Sequence, residues 1–233
     1  DLIRWIALVV SSVTLLVSIV VFVSFDPSID GYQLEEKFNW LPSLGISYHM
    51  GVDGFGAAME LMAGLVVFSG VMVSWKVEDR PREFFAYLLF LASSVFGVFG
   101  SLDLFLLFFF FELAVFPKYL MIILWGYPKT REYGGMKLTL YLYLGSILAF
   151  IGVLAIYFAS GLRTFDLPAL EQAGFGLNFQ KLWFPFIFIG FGVLGGLFPF
   201  HSWAPDGHVA APTAVSMLLA GVEMKVGVFA ALR

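Results

Sequence analysis

Long apolar runs separated by short polar stretches dominate this chain. Seven runs stand out, at residues 2–25, 55–75, 84–101, 104–125, 136–160, 182–200 and 213–232. Each is close to the ~20 residues that carry a helix across a bilayer core. Lipid offers no partner to open backbone groups, so each run is expected to be a helix. The longest polar stretch, 26–53, holds turn signals at Asp30-Gly31 and Leu41-Pro42. Its GISYH segment alternates weakly and reads as half of a short hairpin. The expected fold is an all-α membrane protein, a polytopic bundle of about seven transmembrane helices forming one domain over residues 1–233.

Composition agrees with the pattern. Of 233 residues, 60% are apolar and only 13% are charged, about half the charge of an ordinary soluble domain. So little polar surface cannot cover a soluble core, which excludes a cytosolic enzyme and a disordered chain. A net charge of −4 with 13 Lys plus Arg gives no footprint for a nucleic-acid backbone. Cysteine is absent, so thiolate metal sites, iron–sulfur ligation and disulfides are excluded within this chain. Asp1 is not an initiator methionine and the sequence stops inside an apolar run, so a piece of a longer protein is expected.

The connections alternate in charge. Arg4, Lys76, Arg80, Arg82, Lys129, Arg131 and Lys137 fall on one side, against Lys37, Arg163 and Lys181 on the other. The positive-inside bias puts the first group in the cytoplasm and the acidic stretch 26–53 outside. Trp40, Trp75, Trp125 and Trp183 lie near segment ends, as an interfacial belt requires.

A few ionisable residues interrupt the apolar runs, and these are the candidates for chemistry. Glu112 follows LFLLFFFF about 12 Å into its helix. Pro117 is expected to kink that helix just past the acid. Lys118 is six positions beyond Glu112, about 240° round, so the two are not expected to be direct partners. Lys225 lies about 18 Å into the last run and needs a carboxylate or water. Glu223 points about 200° away from Lys225 and is expected to face another helix or subunit. Glu60 is a further intramembrane acid, and Lys137 opens the fifth span, where it can snorkel. Across 198–213, FPFHSWAPDGHVAAPT, three prolines and Gly207 break any continuous helix. His201 and His208 sit on this break with Asp206 between them. Imidazoles there suit a proton relay; a metal site and plain helix capping are the alternatives.

Three stretches together resemble a known family: FELAVFPKYLMIILWG around Glu112, the HSWAPDGHVAAPTAVSMLLAGVEMKVG block, and WLPSLGISYHMGVDG before the second span. They are similar to the antiporter-like chain M (chain 4 in mitochondria) of NADH:quinone oxidoreductase, respiratory complex I. The resemblance implies an antiporter-like, inverted-repeat bundle of which this chain covers the second to eighth helices. It implies a proton-translocating subunit whose path includes Glu112, Lys225, His201 and His208, with Lys137, Glu223 and Glu60 as further members. No cofactor is expected in this chain. FMN and iron–sulfur clusters would belong to partner subunits, both membrane and peripheral. The expected location is a bacterial cytoplasmic membrane, with the mitochondrial inner membrane or thylakoid as alternatives. A multisubunit Na⁺/H⁺ antiporter, a membrane hydrogenase subunit and an inactive scaffold chain are the competing readings. One departure stands out: the family carries a lysine at the position of Leu194, five residues before Pro199. Glu112 is therefore expected to take Lys225 or water as its partner, unless the half-channel works differently or is impaired.

Overall fold

The computed structural model describes residues 2–233. Among the described residues, seven helices are long and apolar enough to cross a membrane. The first is α1 (Leu2–Ser24), followed by the strands β1 (Gln33–Leu41) and β2 (Ile46–Val52). Then come α2 (Gly54–Val73), α3 (Pro81–Gly100), α4 (Leu104–Leu113), α5 (Val115–Trp125) and the long α6 (Arg131–Ser160). The chain finishes with the short α7 (Leu167–Glu171), α8 (Leu177–Leu194), α9 (Trp203–Ala210), α10 (Thr213–Leu218) and α11 (Met224–Leu232).

The helix starts follow local chemistry. Asp53 caps α2 by accepting from the Gly56 amide at 2.7 Å, and Pro81 opens α3. Asp103 caps α4 by accepting from the amides of Phe105 and Leu106 at 3.0 and 3.1 Å. Small residues set the helix spacing. A Cβ on Gly145 of α6 would sit 2.8 Å from the carbonyl of Gly190 on α8. Phe84, Phe85, Phe99, Phe111, Phe191, Trp203 and Phe229 fill the centre of the bundle. Many large apolar side chains of α1, α6 and α8 face outward, which suits hydrocarbon rather than water.

Among the described residues, three of the spans are interrupted. The fourth span breaks at Ala114, because Pro117 has no N–H for the Leu113 carbonyl. The sixth apolar run is expected to continue to residue 200, but α8 stops at Leu194. Gly196 takes φ +74° there, a conformation that favours glycine, and α9 begins only at Trp203. The Trp203 indole, fully buried, donates to the Val193 carbonyl at 2.9 Å and so ties the break back to α8. In the last span, Leu219–Glu223 forms one π-helical turn between α10 and α11.

The GISYH segment does form half of a hairpin: β1 and β2 pair antiparallel, with Phe38 opposite Tyr48 and their rings stacked at 4.4 Å. β2 faces inward and β1 outward. The hairpin covers one end of the bundle. Leu102 donates its amide to His49, and Phe165 donates to Gly45. Gly45 itself has φ +70°, and any Cβ there would collide with the Arg163 carbonyl. At the opposite end Arg4 donates to the Val77 carbonyl and the Trp125 indole to the Asp79 carbonyl.

Candidate functional site

Lys118 and Glu223 form an ion pair in the interior, at 0% and 1% side-chain exposure. Lys118 comes from α5, just past the Ala114 break, and Glu223 ends the π turn of the last span. Removing both groups from water is affordable only because each neutralises the other. Glu223 points to the core, while Lys225 lies exposed and donates to the Ala220 carbonyl. Glu223 thus faces another helix, as its offset from Lys225 implies.

Glu112 lies next to this pair, at the end of α4. Its polar neighbours are Ser146 of α6 and the ammonium of Lys118. Lys118 is the cation whose charge acts on it, and among the described residues no ion pair joins Glu112 to Lys118 or Lys225. The break at Ala114 upsets the regular 100° per residue on which the separation of positions 112 and 118 depends. Two carboxyl oxygens, Oε1 of Glu112 and Oε1 of Glu223, are buried without a hydrogen-bond partner among the described residues. Buried polar groups are ordinarily satisfied, so both of these acids have unused capacity. Leu194, where the resembled family has lysine, is buried and apolar at 3% exposure.

A second set of polar contacts joins α6 to the broken segment. Lys137 donates to Asp206 at 2.6 Å, and the Tyr141 hydroxyl lies 2.9 Å from Ser202 Oγ. Lys137 is in the second turn of α6, because that helix begins at Arg131 rather than at residue 136. His208 is half-buried, with Nδ1 2.9 Å from Ser216 Oγ. His201 is exposed, its ring 5.6 Å from that of Phe198. The structure therefore joins Lys118 to Glu223, and separately Lys137 to Asp206. It leaves His201 and Lys225 on the outer face of this chain. Glu60, on α2, lines a cavity of about 430 Å³ with Thr14, Ser18 and Ser93.

Sequence reasoning singled out Glu112 and Glu223 but passed over Lys118 as a site residue. Opposite charges inside two different spans were the available signal, since each alone would be prohibitively costly in lipid.

A third cluster lies under the hairpin. Asp103 accepts from both the amide and the hydroxyl of Ser47 at 2.9 Å, besides its two cap bonds. Burial pushes its carboxyl up, against the opposing bonds from Ser47, Leu106 and Phe105. Asp166 accepts from Lys37 at 2.8 Å and lies 2.6 Å from His49 Nδ1, while His49 Nε2 is 2.9 Å from Glu35. Burial would raise the Asp166 carboxyl, but the bonds from Lys37 and His49 outweigh it and hold the group below its usual range. Among the described residues no group of three or more His, Asp or Glu is arranged to hold a metal ion.

Seven lipid-facing helices around interior ionisable groups define an integral, multi-pass membrane protein. Residues 101–233 match the profile of the NADH:quinone oxidoreductase/Mrp antiporter transmembrane family, and the chain belongs to that family. It is 40% identical to the NAD(P)H-quinone oxidoreductase chain 4 3 of Picosynechococcus sp., over 99% of this chain and 42% of that protein. Respiratory complex I from Thermus thermophilus contains a similar chain, with a TM-score of 0.86, 28% identity, and coverage of 97% of this chain and 47% of that one. A chain of an archaeal membrane-bound sulfane sulfur reductase is similar at a TM-score of 0.83 and 25% identity, covering 100% of this chain and 47% of that one. The chain spans less than half the length of these relatives.

Proposed function

We propose that this chain is part of a proton-translocating membrane subunit of a complex I-type NAD(P)H:quinone oxidoreductase. The buried Lys118–Glu223 pair beside the under-satisfied Glu112 carries this reading. Ionisable groups at that depth are costly even when paired, and in membrane proteins they mark ion pathways. In this reading protons move through buried groups while electron transfer occurs elsewhere, on FMN and iron–sulfur clusters in partner subunits. Glu112 is the central acid. His208 and His201 serve the broken segment between α8 and α10, and Lys137 with Asp206 lies at the cytoplasmic end. Lys225, exposed on this chain, and Glu60 are peripheral members of the same path. The basic connections lie in the cytoplasm of a bacterium, and the hairpin 33–52 lies outside.

The test is Glu112→Gln in the full-length subunit within its complex. Dye-reported acidification of membrane vesicles should fall sharply per electron transferred, because a proton-transfer group has been removed. Electron transfer and assembly should be monitored in the same membranes. Unchanged acidification in an assembled variant refutes the reading. The sulfane sulfur reductase likeness supports a second reading, a subunit of another ion-translocating membrane complex. Co-purification with flavin and quinone-reducing activity separates the two.

A further inference from the structure

Glu60 is an acid inside a span that no described residue answers. It lies six positions into α2, about 9 Å below the hairpin end of the bundle. Among the described residues it has neither a hydrogen bond nor an ion pair. It lines a cavity of about 430 Å³ between α1, α2 and α3. Three hydroxyls share that cavity, those of Thr14 and Ser18 on α1 and of Ser93 on α3. Each has spent its hydrogen on its own helix. Thr14 donates to the Val10 carbonyl at 2.9 Å, Ser18 to the Thr14 carbonyl at 2.9 Å and Ser93 to the Phe90 carbonyl at 2.7 Å. Only lone pairs remain to them. With Glu60 ionised, the polar end of the cavity therefore holds acceptors and no donor. The rest of the wall is apolar, with Val13 and Val17 of α1, Val67 of α2 and Leu89 of α3. From Ser18 to Val10 it runs about 12 Å along α1, toward the middle of the membrane. Val13 and Val17 are 53% and 56% exposed, so the cavity opens sideways onto the lipid-facing surface.

We propose that this cavity binds a single-chain amphiphile with a protonated amine head, the ammonium on Glu60 and the alkyl chain along the valines of α1. A carboxylate at that depth needs a cation, and an ammonium brings three donors and no acceptor. That matches a polar end built of acceptors alone, and a bond between two ionised groups is stronger than a neutral one. The chain gains by leaving its position among lipids only as far as the wall fits it, so the head supplies the selectivity. Other ligand classes match the lining less well. An aminophospholipid would bring a phosphate, and no Lys or Arg lines the cavity to receive it. A fatty acid would set a second carboxylate against Glu60. A bare metal cation would leave the apolar wall unused. The proposal stands on the surroundings of Glu60 and does not depend on the proton-translocating reading.

The experiment uses the full-length chain in its complex, in membrane vesicles, without turnover. The probe is dodecylamine carrying a photoreactive diazirine on its chain, and the labelled residues are mapped by mass spectrometry. Labels should concentrate on the cavity-lining positions of α1, α2 and α3. Unlabelled dodecylamine should compete for them, and dodecanol, with the same chain and no charge, should not. Glu60→Gln keeps the size of the side chain and removes its charge, and should weaken the labelling roughly tenfold, the loss that goes with one charge-assisted hydrogen bond. Labels scattered over the lipid-facing surface overturn the proposal. So does labelling that is equal in wild type and Glu60→Gln. Competition by dodecanol as strong as that by dodecylamine overturns it too, because the head would then contribute nothing. That last comparison uses wild type alone, so it decides even where the Gln variant does not assemble. None of these outcomes measures acidification, so the proton-translocating reading stands or falls separately, by Glu112→Gln.

Discussion

Two groups of buried acids differ in how fully their oxygens are used. Under the hairpin, Asp103 accepts four hydrogen bonds and Asp166 is held by Lys37 and His49. In the bundle, Glu112 and Glu223 each keep a buried oxygen with no partner among the described residues. The first group is built as a joint: it ties the start of α4 and the 161–166 loop to β2. The second is underfilled, and an underfilled polar site in a low dielectric is poised to exchange a proton or recruit water. Burial alone does not separate these two groups; the number of unclaimed lone pairs does.

The comparison can be broken most sharply at Lys118. Lys118→Met alone leaves Glu223 buried and unpaired, and should cost about 3–5 kcal/mol of stability. Lys118→Met with Glu223→Met should recover most of that loss. Thermal unfolding of the detergent-solubilised complex checks both. Equal destabilisation by the single and double variants would show that the pair is not the energetic unit.

Asp103→Ala should come next. It removes the cap of α4 and leaves the amide and hydroxyl of Ser47 without an acceptor, at a cost of roughly 2–4 kcal/mol. Acidification per electron in the protein that still assembles should be unchanged. A selective loss of translocation would place Asp103 among the working acids and dissolve the contrast.

The two groups were unequally legible in the sequence. Hydropathy located all seven spans, because a run of ~20 apolar residues has few other uses. Glu112 and the kink beyond it followed from one acid in an apolar run and one proline. Lys118 did not follow, because its geometry was tested only against its own helix. Its partner lies 105 positions away, and sequence spacing carries no information about contacts between helices. The Asp103 cap was available as an aspartate before an apolar run. The His49–Asp166 contact, 117 positions apart, was not. The exposure of Lys225 follows once Glu223 is known to face inward, because the two lie about 200° apart, but which of them faces inward was not readable from spacing.

Asp166 offers a smaller test, by pH. Its carboxyl is held below the usual aspartate range, with Lys37 and His49 overcoming the effect of burial. The bonds therefore stabilise the hairpin above the unfolded-state value and are lost as pH falls through the lower folded-state value. Asp103, pushed up by burial, has the opposite sign: its ionised form is the costly one, so its contribution weakens as pH rises. Hydrogen exchange of the amides of residues 47–52 should accelerate, relative to a reference helix such as α3, as pH drops below the usual aspartate range. Asp166→Asn should exchange faster already at neutral pH and lose that acid-dependent step. A step retained in the Asn variant would assign it to Glu35 or another group.

The smallest effect on stability belongs to Lys137 and Asp206. Their bond is short at 2.6 Å, but the side chains are 20% and 41% exposed, and exposed ion pairs contribute only about 0–1 kcal/mol. Lys137→Met should therefore leave thermal unfolding nearly unchanged. Asp206 belongs to α9, whose far end leads through Pro212 into α10 and the π turn that carries Glu223. If the pair serves the proton path, Lys137→Met should slow acidification while stability stays level. That outcome would extend the contrast, because here a group that barely contributes to folding would still set a rate. Restoring charge with Lys137→Arg should return part of the rate. A variant that loses stability and rate in parallel would put this pair with the joints.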